Sequence, residues 1–285
     1  MTTTSPDPSV GVPFDLLATP ERSLLRDAWS ELRATARYRH LLHYLIRSSL
    51  RTENANTVLG FLWWILDPLF QMAIFIVFVG LILGRGGEDY PIFILTAIIS
   101  YELFVKATKK SIATTVQKER SMNQVAFPKT VLPLSEVISA SVHFMAGFLV
   151  LLAVAIPFGF EPSLYALLVV PILLVQIVLT TGVAFFLSAL NVFFRDTNKI
   201  VGYTFRLGFY LSPALYPISA VPERFRGFFE LNPFATLFEA YRAIVMRHEV
   251  PDLSSLGIVA GASLVVMVIG YLFFVRLAPW FAKLV

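Results

Sequence analysis

The sequence predicts an all-α integral membrane protein: six transmembrane helices, an N-terminal amphipathic interfacial helix, and short outer-face helices before the last span. Three observations predict it. Hydrophobic residues make up 56% of the 285-residue chain and charged residues 15%, against roughly 45–50% and 25% in soluble domains. The apolar excess is gathered into long uncharged runs. Those runs lack the short alternating segments of a transmembrane barrel, so their backbone N–H and C=O groups must be paired within helices.

Residues 1–20 carry Pro6, Pro8, Pro13 and Pro20 and no apolar core of signal type; they are expected to form a disordered cytoplasmic tail. Residues 21–57 form the amphipathic region. Arg22, Arg26, Arg33, Arg37, Arg39, Arg47 and Arg51 alternate there with Leu25, Trp29, Leu32, Leu41, Leu42, Leu45 and Ile46 at helical spacing. No uncharged stretch in it can span, so the helix is expected to lie in the interface plane with its arginines on phosphates. The alternative is an ordinary solvated helix resting on a partner protein.

The six-helix domain occupies residues 58–285. Its spans are expected at about 58–83, 91–106, 131–158, 164–194, 200–219 and 256–275. Trp63 and Trp64 stand near the start of the first span, where indoles favour the headgroup level. A basic stretch from 106 to 129 carries Lys106, Lys109, Lys110, Lys118, Arg120 and Lys129 against Glu119. Pro213, Pro217, Pro222, Pro233 and Pro251 interrupt the segment before the last span. Short helices dipping into the outer leaflet fit it, because irregular backbone is tolerated at membrane depth only where protein or a water-filled cavity covers it. Lysine and arginine concentrate in the N-terminal region, the 106–129 stretch, the turn at Arg195 and Lys199, and the C-terminal tail. That side is expected to be cytoplasmic, with both termini on it.

The absence of cysteine excludes disulfides, thiolate metal sites and cysteine nucleophiles. No P-loop or dinucleotide motif is present, so no catalytic or metal site and no cofactor is expected on this chain. The net charge of +4 lies beside apolar spans, which points to membrane orientation and not to nucleic acid. His40, His43, His143 and His248 fall in no triad or ligand pattern and are read as structural or surface residues.

Asp67, Glu102, Glu136 and Arg206 lie within or beside spans. Charges there are costly and are usually paired or face a cavity. Asp67, just before Pro68, is either the coupling site of a proton-driven carrier or one member of a structural pair. Arg206 is either a partner for a lipid phosphate or a side chain that snorkels to the interface. The abundant phenylalanines serve packing or, in a sugar channel, stacking on sugar rings.

The run from Arg51 to Pro68, with its Gly60-x-x-Trp63-x-x-x-x-Pro68 pattern, resembles the start of ABC-2 type permeases, the membrane subunits of O-antigen, capsule and teichoic acid exporters. Asn191-Val192-Phe193-Phe194-Arg195-Asp196 resembles their turn after the fourth span, and Asn232-Pro233-Phe234 the turn of their outer-face helices. The resemblance covers the chain from about residue 30 onward and is strongest to actinobacterial galactan exporters. It implies a homodimer working with two copies of a separate ATPase subunit that binds ATP and Mg, in a bacterial inner membrane.

It further implies an ATPase-coupling loop of Lys118, Glu119, Arg120, Asn123, Gln124, Phe127 and Pro128 with Arg195 and Asp196. Arg47, Arg51, Trp63, Trp64, Asp67 and Arg206 become candidates for the path of a polyprenyl-diphosphate-linked polysaccharide. Tyr216, Pro217, Phe225, Asn232 and Pro233 become candidates for an outer gate. The rival functions are an ABC-2 exporter of drugs or small lipids, an ion-coupled secondary carrier working through Asp67, and a membrane glycosyltransferase. The few acids of the 85–90 loop argue against the last.

Overall fold

The computed structural model describes residues 24–53, 57–84, 86–122, 127–160 and 163–284. Among the described residues the chain is helical throughout, without strands. The α-helices, in order, are α1 (Leu24–Arg37), α2 (Arg39–Thr52), α3 (Trp63–Phe75), α4 (Tyr90–Met122), α5 (Val131–Ala155), α6 (Val169–Phe193), α7 (Thr197–Leu211), α8 (Glu223–Glu230), α9 (Pro233–Arg242) and α10 (Leu253–Leu284).

The amphipathic region is two helices, broken at Tyr38 (φ −85°, ψ 27°). Its halves bury different things. On α1, Leu25, Trp29 and Leu32 stay exposed, while Ala28 and Thr35 turn inward. Tyr271 Oη donates to the Ala28 carbonyl at 2.8 Å, and the hydroxyls of Thr35 and Thr130 meet at 2.6 Å. On α2, Leu45 packs with Val131 and Leu132 at the foot of α5, flanked by Leu41, Leu42 and Phe127. The apolar stripe of α2 therefore serves intramolecular packing, and that of α1 remains available to a bilayer surface.

Five helical stretches are long and apolar enough to cross a membrane: Gly60–Ile82, Tyr90–Gln117, Val131–Phe158, Leu164–Phe193 and Leu253–Phe281. The span expected at 200–219 is not among them. Its counterpart α7 has 15 residues, about 22 Å against a hydrocarbon core of about 30 Å. It ends because Ser212, held extended (ψ 151°), precedes Pro213, whose ring disfavours helical backbone on the residue before it. The second span also differs from expectation. It does not give way to a loop at Lys106 but continues as helix to Met122, since the basic residues from Lys106 to Arg120 are good helix formers.

α4 is the central post: 78% of its most apolar stretch is buried, against 6% for that of the first span. α6 and α10 touch backbone to backbone. A Cβ on Gly270 would lie 2.1 Å from the Gly182 carbonyl oxygen, and one on Gly182 would lie 2.6 Å from Met267 Cα. Lipid tails offer no hydrophobic drive between helices, so close van der Waals approach of this kind takes its place. Between α7 and α10 come a 3₁₀ turn at Ile218–Ala220, α8, α9 and a π-helical stretch at Ala243–Arg247. His248, in the left-handed region (φ 54°), reverses the chain. Asp252 then caps α10, accepting from Ser254 N at 3.0 Å and Ser255 Oγ at 2.5 Å.

Candidate functional site

The molecule carries two polar constructions, one at each end of the bundle. At the basic end, α2, α3, α4 and α5 converge. Glu53, just past α2, takes Lys110 Nζ of α4 on one carboxylate oxygen at 2.8 Å. Its other oxygen meets His143 Nε2 of α5. His143 Nδ1 stands 2.7 Å from the Ser139 carbonyl. That carbonyl only accepts, so Nδ1 is the donor of this bond. Trp64 covers the imidazole at a ring separation of 3.7 Å. Burial alone raises the Glu53 carboxyl, but bonds from His143 and Lys110 and their charges outweigh it and bring its pKa down to about 2.

Further along α5, buried Glu136 accepts from Ser49 Oγ of α2 at 2.7 Å and Thr114 Oγ1 of α4 at 3.0 Å. Lys106 pairs with Glu102 at 2.6 Å within α4. Glu53 and Glu136 thus tie α2, α4 and α5 through partners far apart in the sequence. Sequence alone reads His143 as a structural or surface residue; the structure gives it a charged partner distant in the chain, Glu53. Glu102 and Glu136, legible in the sequence only as charges near spans, both have partners.

At the opposite end the fastener is Arg242 of α9, 1% exposed. Where α7 breaks, the carbonyls of Pro213 and Ala214 have no helical partner, and Arg242 donates to both at 3.0 Å. It also pairs with Glu239 at 2.9 Å and lies 3.4 Å over the Phe93 ring at the start of α4. Asn232 completes the junction. Its Oδ1 caps α9 by accepting from Phe234 N at 3.0 Å, and its Nδ2 donates to Ser212 Oγ at 2.8 Å. Deeper in, Gln176 of α6 takes the Tyr241 hydroxyl on Oε1 at 2.8 Å and donates to the Ser100 carbonyl of α4 at 2.6 Å. α9 is therefore anchored to α4, α6 and the end of α7.

The structure separates the residues singled out from sequence into three groups. Lys118, Glu119 and Arg120 sit on the last turns of α4, while Asn123 and Gln124 lie outside the described residues. Phe127 is half-buried and Pro128 buried, leading into α5; Arg195 and Asp196 are exposed in the turn between α6 and α7. Arg47 and Arg51 are both exposed on α2, Trp63 and Asp67 are half-buried on α3, and only Trp64 of this set joins the Glu53–His143 cluster. Arg206 is exposed on α7 and lines a cavity with Lys109 and Lys199.

Of the gate candidates, Asn232 and Pro233 form the start of α9. Tyr216 meets the Phe229 ring edge-on at 6.3 Å. Phe225 is exposed under the Arg224 guanidinium at 4.5 Å, and Pro217 is exposed. Sequence reasoning does not single out Arg242. Its signal is a lone arginine in an aromatic run that follows a helix-breaking Ser-Pro. Among the described residues no three His, Cys, Asp or Glu side chains could hold a metal ion.

This arrangement, several membrane-length helices with a helical basic extension at one end and a broken, capped segment at the other, lies largely within residues 41–246. Those residues match the model of the ABC-2 type transporter family. The chain belongs to that family. Among proteins similar to this permease is an "O-antigen export system permease protein RfbA" of Klebsiella pneumoniae, 27% identical over 245 residues that cover 86% of this chain and 94% of the relative. A protein of the same name from Myxococcus xanthus is 27% identical over 238 residues, covering 83% and 92%. A "polysialic acid transport protein KpsM" of Escherichia coli is 24% identical over 234 residues, covering 79% and 89%.

Proposed function

We propose that this chain is the membrane-spanning subunit of an ATP-driven exporter. It moves a polyprenyl-diphosphate-linked polysaccharide from the cytoplasm to the outer face of a bacterial inner membrane. The carrying observation is the near end-to-end likeness to permeases named for O-antigen export. On the resemblance to galactan exporters, a cell-wall galactan is the first cargo to test. The chain works as a homodimer with two copies of a separate ABC ATPase, and ATP and Mg belong to that partner.

Topology supports six crossings. α6 ends at the basic end, while α10 starts at the other and returns, placing Ala278 on Lys129 of the basic end at 3.1 Å. α7 with residues 212–222 is the connection that brings the chain across. Its short helix and its break then belong to one crossing, with the freed carbonyls held by Arg242. The concentration of Lys and Arg supports a cytoplasmic basic end with both termini on that side.

Each part then has a task. The last turns of α4, with Phe127, Pro128, Arg195 and Asp196, receive the ATPase stroke. α4 carries it as one uninterrupted helix to α9, which it touches near Phe93 and Arg242. Arg47, Arg51, Trp63, Trp64, Asp67 and Arg206 border the way in. Tyr216, Pro217, Phe225, Asn232 and Pro233 border the way out.

The test is transport into inside-out vesicles holding this chain and its ATPase. ATP-dependent protection of a radiolabelled lipid-linked polymer in the lumen is the expected result. Protection that needs no ATPase and is abolished by dissipating the proton gradient or by Asp67→Asn would replace the exporter with an ion-coupled carrier.

A further inference from the structure

α4 carries three neighbouring lysines near its basic end, and they fare differently. Lys106 is neutralised by Glu102 and Lys110 by Glu53. Lys109 turns the other way, toward α7, where its Nζ would stand 3.8 Å from a Cβ on Gly202. There it lines a cavity of about 340 Å³ with Asn198, Lys199, Gly202, Tyr203 and Arg206. Three cations, two amide or phenol groups and no carboxylate make up its wall. The nearest acid along α7, Asp196, is exposed and outside the cavity.

Three like charges around one concavity repel each other, all of them exposed, and an anion among them relieves that repulsion. Position narrows the anion further. Lys109 lies about 28 Å along α4 from Tyr90, close to one hydrocarbon thickness of about 30 Å. Lys199 stands at the foot of α7 and Arg206 about two turns above it, so the cavity opens where the headgroup layer meets the hydrocarbon. Arg supplies a planar fork suited to phosphate, and lysines supply point charges beside it. Elsewhere α7 lines a separate aromatic cavity, about 370 Å³, with Phe205, Gly208 and Phe234.

We infer that Lys109, Lys199 and Arg206, with Asn198 and Tyr203, form a binding site for the phosphate groups of a membrane lipid at the cytoplasmic boundary. That the lipid is the diphosphate carrier of the cargo rests on the exporter reading; the site itself does not. An anionic phospholipid of the bilayer presents the same chemistry.

The experiment uses the full chain in detergent, co-purified with its ATPase where that is bound. Affinities are measured for geranylgeranyl diphosphate, geranylgeraniol and inorganic diphosphate, and bound phosphatidylglycerol is counted by native mass spectrometry. Replacing all three cations (Lys109→Gln, Lys199→Gln, Arg206→Gln) is expected to weaken geranylgeranyl diphosphate at least about tenfold. Geranylgeraniol binding should be unchanged. The charge-keeping set Lys109→Arg, Lys199→Arg, Arg206→Lys should stay within about threefold of the unaltered chain. Displacement of phosphatidylglycerol by geranylgeranyl diphosphate assigns the site to the carrier lipid. Phosphatidylglycerol that is lost with the three cations but resists the diphosphate assigns it to bilayer lipid.

Equal affinity of the unaltered and triply substituted chains for every phosphate probe, at equal elution on size exclusion, overturns the site. If the triple variant does not fold, Lys109→Gln and Arg206→Gln singly, on separate helices, are expected to lose about two- to fivefold each; no loss in either overturns the site as well. Surface polysaccharide in cells lacking their own copy separates the two claims. Complementation by the unaltered chain with phosphate binding untouched by the variants sinks the site and leaves the exporter. Phosphate binding that depends on the three cations, without complementation, does the reverse.

Discussion

The two ends of this bundle are fastened by different chemistry. At the basic end, Glu53, Lys110, His143, Glu136, Ser49 and Thr114 spread the work over several side-chain pairs on α2, α4 and α5. At the other end one guanidinium does most of it, and what it holds is backbone: the carbonyls freed where α7 breaks before Pro213. A network built on the depressed Glu53 carboxylate weakens in acid. A single buried cation on orphaned carbonyls yields all at once. On the proposed exporter reading, the first kind of fastening lies where force enters and the second acts as a pin at the outer end.

The largest expected effect is at the pin. Arg242→Ala leaves the Pro213 and Ala214 carbonyls without this donor and Glu239 with Arg247 alone, and should cost about 3–5 kcal/mol, read as detergent thermal unfolding. Arg242→Lys keeps the charge but lacks the fork that reaches both carbonyls, so it should recover only part of that. If Arg242→Ala unfolds like the unaltered chain, the end is held by its aromatic packing instead.

Next comes Glu53→Gln, which keeps the shape but not the charge opposite Lys110 and His143. A loss of about 1–3 kcal/mol is expected, smaller than at Arg242 because Ser49 and Thr114 still tie α2 and α4 to Glu136. The pH dependence follows by sign. The Glu53 carboxyl is depressed in the fold from 4.5 to about 2. Its contribution is therefore complete above about pH 4.5 and is lost as pH falls toward 2. Unfolding temperature should drop through that window in the unaltered chain and drop less in the Glu53→Gln variant. Parallel curves for the two would remove Glu53 from the fastening.

How much of this is legible in the sequence depends on whether partners are local. The amphipathic periodicity of α1 and α2, the break at Ser212-Pro213 and the cap at Asn232 are written in neighbouring residues. The sequence predicts six crossings where five helices qualify by length and composition; the helix that opens the 200–219 run stops at Leu211, just before the Ser212-Pro213 break. His143 looks inert because no acid or base stands beside it in the chain; Glu53, itself paired with Lys110, reaches it only through the packing of α2 and α4 on α5. The pairing of Lys106 and Lys110, which leaves Lys109 facing α7, is equally invisible, since all three read alike in a basic run.

The smallest expected effect is Tyr241→Phe, which removes one hydroxyl from Gln176 while Ser100 still bonds it. About 1 kcal/mol is expected, with the helix content unchanged. A double substitution with Gln176→Leu should cost less than the two singles together, since both remove the same bond. Strict additivity would mean that α9 and α6 are not coupled through it.

The most direct test of the exporter reading is a tagged pull-down in mild detergent from the native host, read by mass spectrometry. Near-stoichiometric recovery of an ABC ATPase, reduced when Glu119 and Arg120 are replaced by alanine, is the expected result. A folded chain that comes down without any ATPase and transports alone would contradict it.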